Sequence, residues 1–159
     1  MKEVVLVPEE RVRVLNKEVI EKIENKIDVK ISIKGNSIEI EGEGLDLYQA
    51  KNIVKAIARG FSPEKSFRLF NEEEQLKIIK LEFTDKKIKI IKSRLIGTKG
   101  QTRKAIEDYS GCAISIYGRT VSIIGKYNQI EIAREAINMI LRGSKHSKVY
   151  GFLQRARLD

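Results

Sequence analysis

The sequence predicts an α+β chain in which one unit of order β-α-α-β-β-α is used twice, each copy a three-stranded antiparallel sheet with helices on one face. The first observation behind this is an internal repeat. Sliding the 159-residue sequence against itself by 83 positions lays "ISIKGNSIEIEG" (Ile31 to Gly42) on "ISIYGRTVSIIG" (Ile114 to Gly125) without a gap. The same offset sets Ala50 on Ala133, Ile57 on Ile140 and Arg59-Gly60 on Arg142-Gly143. The second observation is length, which suits two compact units of roughly 70 to 80 residues.

Each element follows from its period. Alternating apolar residues (Ile31, Ile33, Ile38 and Ile40; Ile114, Ile116, Val121 and Ile123) describe two half-buried strands joined at Gly35 or Gly118, a β-hairpin. Leu47, Ala50, Val54 and Ile57 in one copy, and Ile130, Ala133, Ala136, Ile137, Ile140 and Leu141 in the other, keep helical spacing until a glycine ends the run. Upstream of the hairpins, Val19, Ile20, Ile23 and Ile27, and then Ala105, Ile106 and Tyr109, give a further helix. The leading strand of the first copy is "VVLV", Val4 to Val7. In the second copy Ile78–Phe83 and Lys87–Ile91 both alternate acceptably.

This places a first unit at 1–61, a connecting helix and linker at 62–76, a second unit at 77–147 and a basic, partly apolar tail at 148–159. Ser62 is positioned as an N-cap with Pro63 at the first helical position, and Phe67, Leu69 and Phe70 are expected to bury against one of the units. In the tail, Tyr150 and Phe152 either dock on the body or offer a stacking surface.

Composition narrows the function. Residues 1–82 carry a net charge of −1 and residues 83–159 a net charge of +10, so all the excess positive charge lies in the second half and points to a polyanion there. No apolar run approaches the roughly 20 residues that span a bilayer, which makes the expected setting cytoplasmic, without a membrane partner. One His, one Cys and no metal-ligand or nucleophile spacing leave little for an enzyme, and neither a metal nor a cofactor is expected. His146 reads as an exposed or RNA-adjacent side chain, and Cys112 as a small buried hydrophobe.

The segment "RLIGTKGQTRKAI" supplies the candidate site. Gly97 and Gly100 let the backbone turn tightly and approach a phosphate where a Cβ would obstruct it. Thr98 completes the loop, a helix beginning near Gln101 adds its N-terminal N–H groups, and Lys99, Arg103, Lys104 and Arg94 bring positive charge. At the same offset the first copy has Val14-Leu15-Asn16-Lys17, without either glycine. Glu39, Glu41 and Glu43 give that copy an acidic strand face, unsuited to RNA.

A β-α-α-β-β-α unit with Ile-Gly-x-x-Gly between its first two helices resembles the type I KH domain. "ARGFSPEKSFRLF" (Ala58 to Phe70) and "ILRGSKHSKVYGFL" (Ile140 to Leu153) further resemble the partner-of-Nob ribosome-assembly factors, in the short archaeal-type form. That resemblance implies a degenerate and a functional KH domain in tandem. It also implies single-stranded RNA near the 3′ end of small-subunit ribosomal RNA, a Nob-type endonuclease and the alpha subunit of translation initiation factor two as partners. The RNA groove it implies is lined by Ile96, Ile106, Ala113, Ile114 and Ile116, with the second-strand backbone around Ser115 reading base edges and Arg119 nearby. Ile106 and Ile116 are better accounted for as core, because Ile23 and Ile33 recur at their places in the other half. A general KH adaptor on messenger RNA or in RNA degradation, or a protein scaffold with a vestigial loop, are the rival readings.

Overall fold

A computed structural model describes residues 1–157. The chain divides into two compact units, Met1–Asn71 and the remainder from Glu72 onward. The first contains β1 (Lys2–Leu6), α1 (Glu9–Val12), α2 (Lys17–Lys26), β2 (Val29–Lys34), β3 (Ser37–Gly42), α3 (Gly44–Ala58) and α4 (Pro63–Ser66). The second contains β4 (Glu74–Lys80), α5 (Asp85–Ile96), α6 (Gln101–Ser110), β5 (Ala113–Tyr117), β6 (Thr120–Lys126), α7 (Tyr127–Leu141) and α8 (His146–Ala156). Both sheets are three-stranded and antiparallel, ordered β1-β3-β2 and β4-β6-β5. The hairpins close through two-residue turns at Gly35-Asn36 and Gly118-Arg119, with Ile31 opposite Ile40 in one and Ile114 opposite Ile123 in the other.

The leading strand of the second unit is β4, which begins four residues before the Ile78–Phe83 candidate and shares only its first three residues, while Lys87–Ile91 lies inside α5. The Thr84 hydroxyl accepts the Lys87 N–H and starts that helix, whose Ile88, Ile91 and Leu95 face the core at helical spacing. Its counterpart α1 is a single turn. In the stretch read as a connecting helix and linker, the apolar residues pack on the first unit. Ser62 caps α4 through the Lys65 N–H, Phe67–Phe70 continue as a 3-10 turn, and both segments pack on α3, where the Gln49 carboxamide donates to the Phe70 carbonyl at 2.9 Å. Leu69 is buried there and Phe67 and Phe70 are half-buried.

Of the two placements expected for the tail, the structure has the docked one. It is the helix α8, packed against α6 and α7, with Val149 and Leu153 almost wholly buried and Tyr150 and Phe152 against the same core. Burying Val149 and Leu153 contributes about 2 kcal/mol each, enough to offset the roughly 1 kcal/mol that an interior Gly151 costs the helix. No helix among the described residues is long and apolar enough to cross a membrane.

The strand face read as acidic is charge-balanced. Glu41 lies opposite Lys2 on one side and Lys30 on the other, and Lys34 reaches Glu39 at 2.8 Å. The Lys34 ammonium, by hydrogen bond and by charge, holds the Glu39 carboxyl below its usual range. Alternate positions on a strand share a face, so cross-strand lysines meet these carboxylates although the linear sequence separates them.

Two polar ties recur at the repeat offset. Arg11 donates to the Ile57 carbonyl at 3.0 Å and to the Phe61 carbonyl at 2.8 Å. Arg94, 83 residues on, donates to Ile140 at 3.0 Å and to the Ser144 carbonyl. Each guanidinium thus fastens the helix before the site position to the end of the long helix behind it.

Candidate nucleic-acid interface

Helix α5 ends at Ile96 and the chain leaves it with Gly97 at φ 75° and ψ 175°, a conformation open in practice only to glycine. A Cβ there would also stand 2.2 Å from the Thr102 hydroxyl oxygen and 2.8 Å from the Thr102 nitrogen. Gly100, at φ 74°, has open space where its Cβ would be. Both glycines therefore answer to backbone hand, and Gly97 answers to packing as well. Between them Lys99 sits at φ 55°, the one non-glycine with positive φ among the described residues. Such strain, of order 1–2 kcal/mol for an L-residue in the left-handed region, collects at functional sites.

The loop folds back on itself as a short 3-10 turn, with the Gly100 N–H donated to the Gly97 carbonyl at 3.1 Å. Helix α6 then begins with no side chain capping its first turn. At the matching place in the first unit the Asn16 side chain accepts the Val19 N–H at 2.9 Å and closes the start of α2. One helix N-terminus is filled from within the chain and the other is left to be approached from outside.

The expected residues separate into groups. Ile96, Thr98, Lys99, Gln101 and Lys104 are exposed, Gly97, Gly100 and Arg103 half-buried, and together they surround the loop and the start of α6. Arg94 does not join them, because its guanidinium is committed to the Ile140 and Ser144 carbonyls. Arg119 pairs with Asp85 and donates to the Phe83 carbonyl at 2.7 Å, at the start of α5. The loop follows the opposite end of that helix, about 17 Å away at 1.5 Å per residue.

Ile106 and Ile114 belong to the core, with Ile116 packed half-buried against it. Strand alternation turns Ala113 and Ser115 to the other face of the sheet, so the strand cannot offer all of them to one groove. Nor is its edge fully open to bases. The Ile114 N–H is donated to the Glu107 carboxylate at 2.9 Å, leaving the Ile114 carbonyl and the outward-facing groups of Ile116 as the polar edge.

Sequence reasoning missed Glu107 and Thr102, and gave Tyr150 no partner. The Thr102 hydroxyl lies 3.4 Å from that of Tyr150 on α8. His146, read as an exposed or RNA-adjacent side chain, is half-buried and donates from Nε2 to the Arg94 carbonyl at 3.0 Å. The repeat held a signal for Glu107: Glu24 stands 83 residues before it and accepts the Ile31 N–H at the same 2.9 Å.

Comparison with known proteins gives this geometry a lineage. The profile of the second KH domain of PNO1 proteins, described as a eukaryotic type KH-domain (KH-domain type I), matches residues 74–158. A KH domain-containing protein of Methanocaldococcus jannaschii is 38% identical over 98% of this chain and 74% of its own. This chain belongs to the PNO1 KH-domain family. The pre-rRNA-processing protein pno1 of Aspergillus fumigatus is 26% identical, over 82% of this chain and 56% of its own length. This PNO1-family chain thus spans a little over half of that fungal relative.

Among solved structures, Dim2p from Pyrococcus horikoshii is 43% identical and superposes with a TM-score of 0.89, covering 98% of this chain and 99% of that one. A complex of a/eIF2alpha, aDim2p and rRNA from the same organism matches at 42% identity and a TM-score of 0.89, covering 98% and 93%. The PNO1-family match places the Gly97–Gly100 loop inside the KH segment.

Proposed function

We propose that this chain is a ribosome-assembly factor of the small subunit that holds single-stranded ribosomal RNA near its 3′ end through the second unit. The observation that carries the reading is the loop itself: two glycines and a left-handed Lys99 lead into a helix whose first turn has no side-chain cap, amid exposed basic side chains. An RNA backbone supplies the phosphates such a turn accepts, and Ile96, exposed beside it, offers an apolar surface to an unpaired base. Charge supports the same division of labour, since residues 72–159 carry a net +8 and residues 1–71 a net +1.

On this reading the two units are tandem KH domains, and the first is a scaffold whose clamp is closed by Asn16. The protein acts by placement and protection, in the cytoplasm and without chemistry of its own. Its protein partners are the alpha subunit of initiation factor two, named in the Pyrococcus complex, and an endonuclease of the Nob type.

The test is fluorescence anisotropy with a labelled copy of the organism's own small-subunit rRNA 3′ end, a scrambled control, and the double variant Thr98→Asp/Lys99→Asp across a salt series. The expected result is preference for the native RNA, lost in the folded variant, with affinity falling with salt by a slope of about −0.7 per phosphate contact. Equal binding by variant and wild type would exclude the loop and leave a protein scaffold as the function.

A further inference from the structure

Helix α8 touches the glycine loop's supports on both sides. His146 and Tyr150 are one turn apart and share a face of α8. His146 donates to the carbonyl of Arg94, three residues before Gly97, and the Tyr150 hydroxyl meets that of Thr102, two residues after Gly100. The first contact fills a need created by the loop. A carbonyl in the last turn of a helix has no intrahelical donor once the chain departs, and the imidazole supplies one. The second bears on the loop through packing, because Thr102 is buried and is the residue that a Cβ on Gly97 would strike.

The whole helix is set for these contacts. Arg157 lies over the Tyr109 ring at 5.6 Å, with the same separation of 48 residues that relates Tyr150 to Thr102, so α8 runs parallel to α6. Arg94 adds a tie from its guanidinium to Ser144, two residues before His146. Residue 94 therefore holds the start of α8 with its side chain while its carbonyl is held by α8.

From these contacts we infer that α8 is a brace that fixes the Gly97–Gly100 loop in its anion-receiving conformation, with His146 and Tyr150 as positioning residues. The internal repeat provides a contrast. At the 83-residue offset the first unit has Pro63 for His146, Phe67 for Tyr150 and Val19 for Thr102, and it also lacks both loop glycines. Neither the polar brace nor the loop is present there. The inference rests on the RNA reading only for its consequence, since the conformation of the loop can be measured without RNA.

The experiment compares the full chain with Tyr150→Phe, His146→Ala and His146→Gln, and with Thr98→Asp/Lys99→Asp. Amide hydrogen exchange is followed at residues 97–103 and across the core strands, and binding is measured with the labelled rRNA 3′-end probe. Tyr150→Phe and His146→Ala are expected to speed exchange of the loop amides about fivefold while the β6 amides stay protected. A carboxamide N–H can replace the imidazole donor, so His146→Gln should restore the slow exchange. A loosened loop also grips less well, and the two brace variants should weaken RNA binding about fivefold with an unchanged salt slope.

Unchanged loop exchange in both variants would overturn the brace, as would acceleration spread evenly over the core. So would faster loop exchange with full RNA affinity, if the loop double variant had lost it. If the double variant binds RNA normally, the RNA reading fails, and loop exchange alone decides whether α8 sets the loop.

Discussion

The Glu107 carboxylate accepts the backbone N–H of Ile114, joining α6 to the edge strand β5, and Glu24 holds Ile31 in the same way 83 residues earlier. Both bonds are 2.9 Å and both satisfy an edge-strand amide that sheet pairing leaves unused. Truncation to Glu107→Ala or Glu24→Ala should cost about 1–2 kcal/mol in either unit, because each strands the N–H of a buried isoleucine. Urea denaturation of the two variants is the measurement. Losses below about 0.3 kcal/mol in both would mean that water replaces the carboxylate freely.

The glycines of the loop should separate on substitution. Gly97→Ala meets Thr102 at 2.2 Å in addition to an unfavourable φ, and its expected loss is about 2–4 kcal/mol. Gly100→Ala enters open space and should lose only the backbone term, about 1–2 kcal/mol. Denaturant midpoints at constant slope give the comparison. Equal losses would refute the assignment of a packing role to Gly97 alone.

Asn16 has become a structural cap. Replacing it by alanine removes the acceptor for the Val19 N–H, and about 1 kcal/mol of stability should go with it. The affinity for the rRNA probe should stay within twofold of wild type, on the order of measurement error. A marked fall in RNA binding would show that the first unit takes part in the clamp.

Arg94→Lys discriminates between two roles for a cation beside the loop. If residue 94 supplies only charge, lysine preserves it. The guanidinium instead forks to two carbonyls, Ile140 and Ser144, and a single ammonium cannot hold both in the same planar geometry. A loss of about 1–3 kcal/mol in thermal or denaturant unfolding is expected, with Arg11→Lys behaving alike in the first unit. Full stability in both would demote the ties to incidental contacts.

Most of the secondary structure was legible because the repeat doubles every weak signal: Ile31 and Ile114 alternate alike, and so do Ile38 and Val121. Lys87–Ile91 was not, since a five-residue apolar and basic alternation fits one face of a helix as well as a strand, and Thr84 as N-cap decides it. At the site, glycine spacing located the loop because backbone hand is written locally. The engagement of Arg94 and Arg119 was illegible for the opposite reason. Their partners lie 46 and 34 residues away, and charge density says nothing of which cation is already engaged. Ala113 and Ser115 were foreseeable exceptions, because a period of two forbids them the same face as Ile114 and Ile116.

The distance in sequence between the loop and α8 also has a meaning in time. A polypeptide emerges in order, and Gly97–Gly100 is laid down some fifty residues before Tyr150 reaches Thr102. A nascent chain stalled in that interval displays the glycine loop without the hydroxyl and imidazole that rest against its flanks. The glycine turn therefore acquires its final setting only once α8 has emerged, after the sheet beneath it has been synthesised.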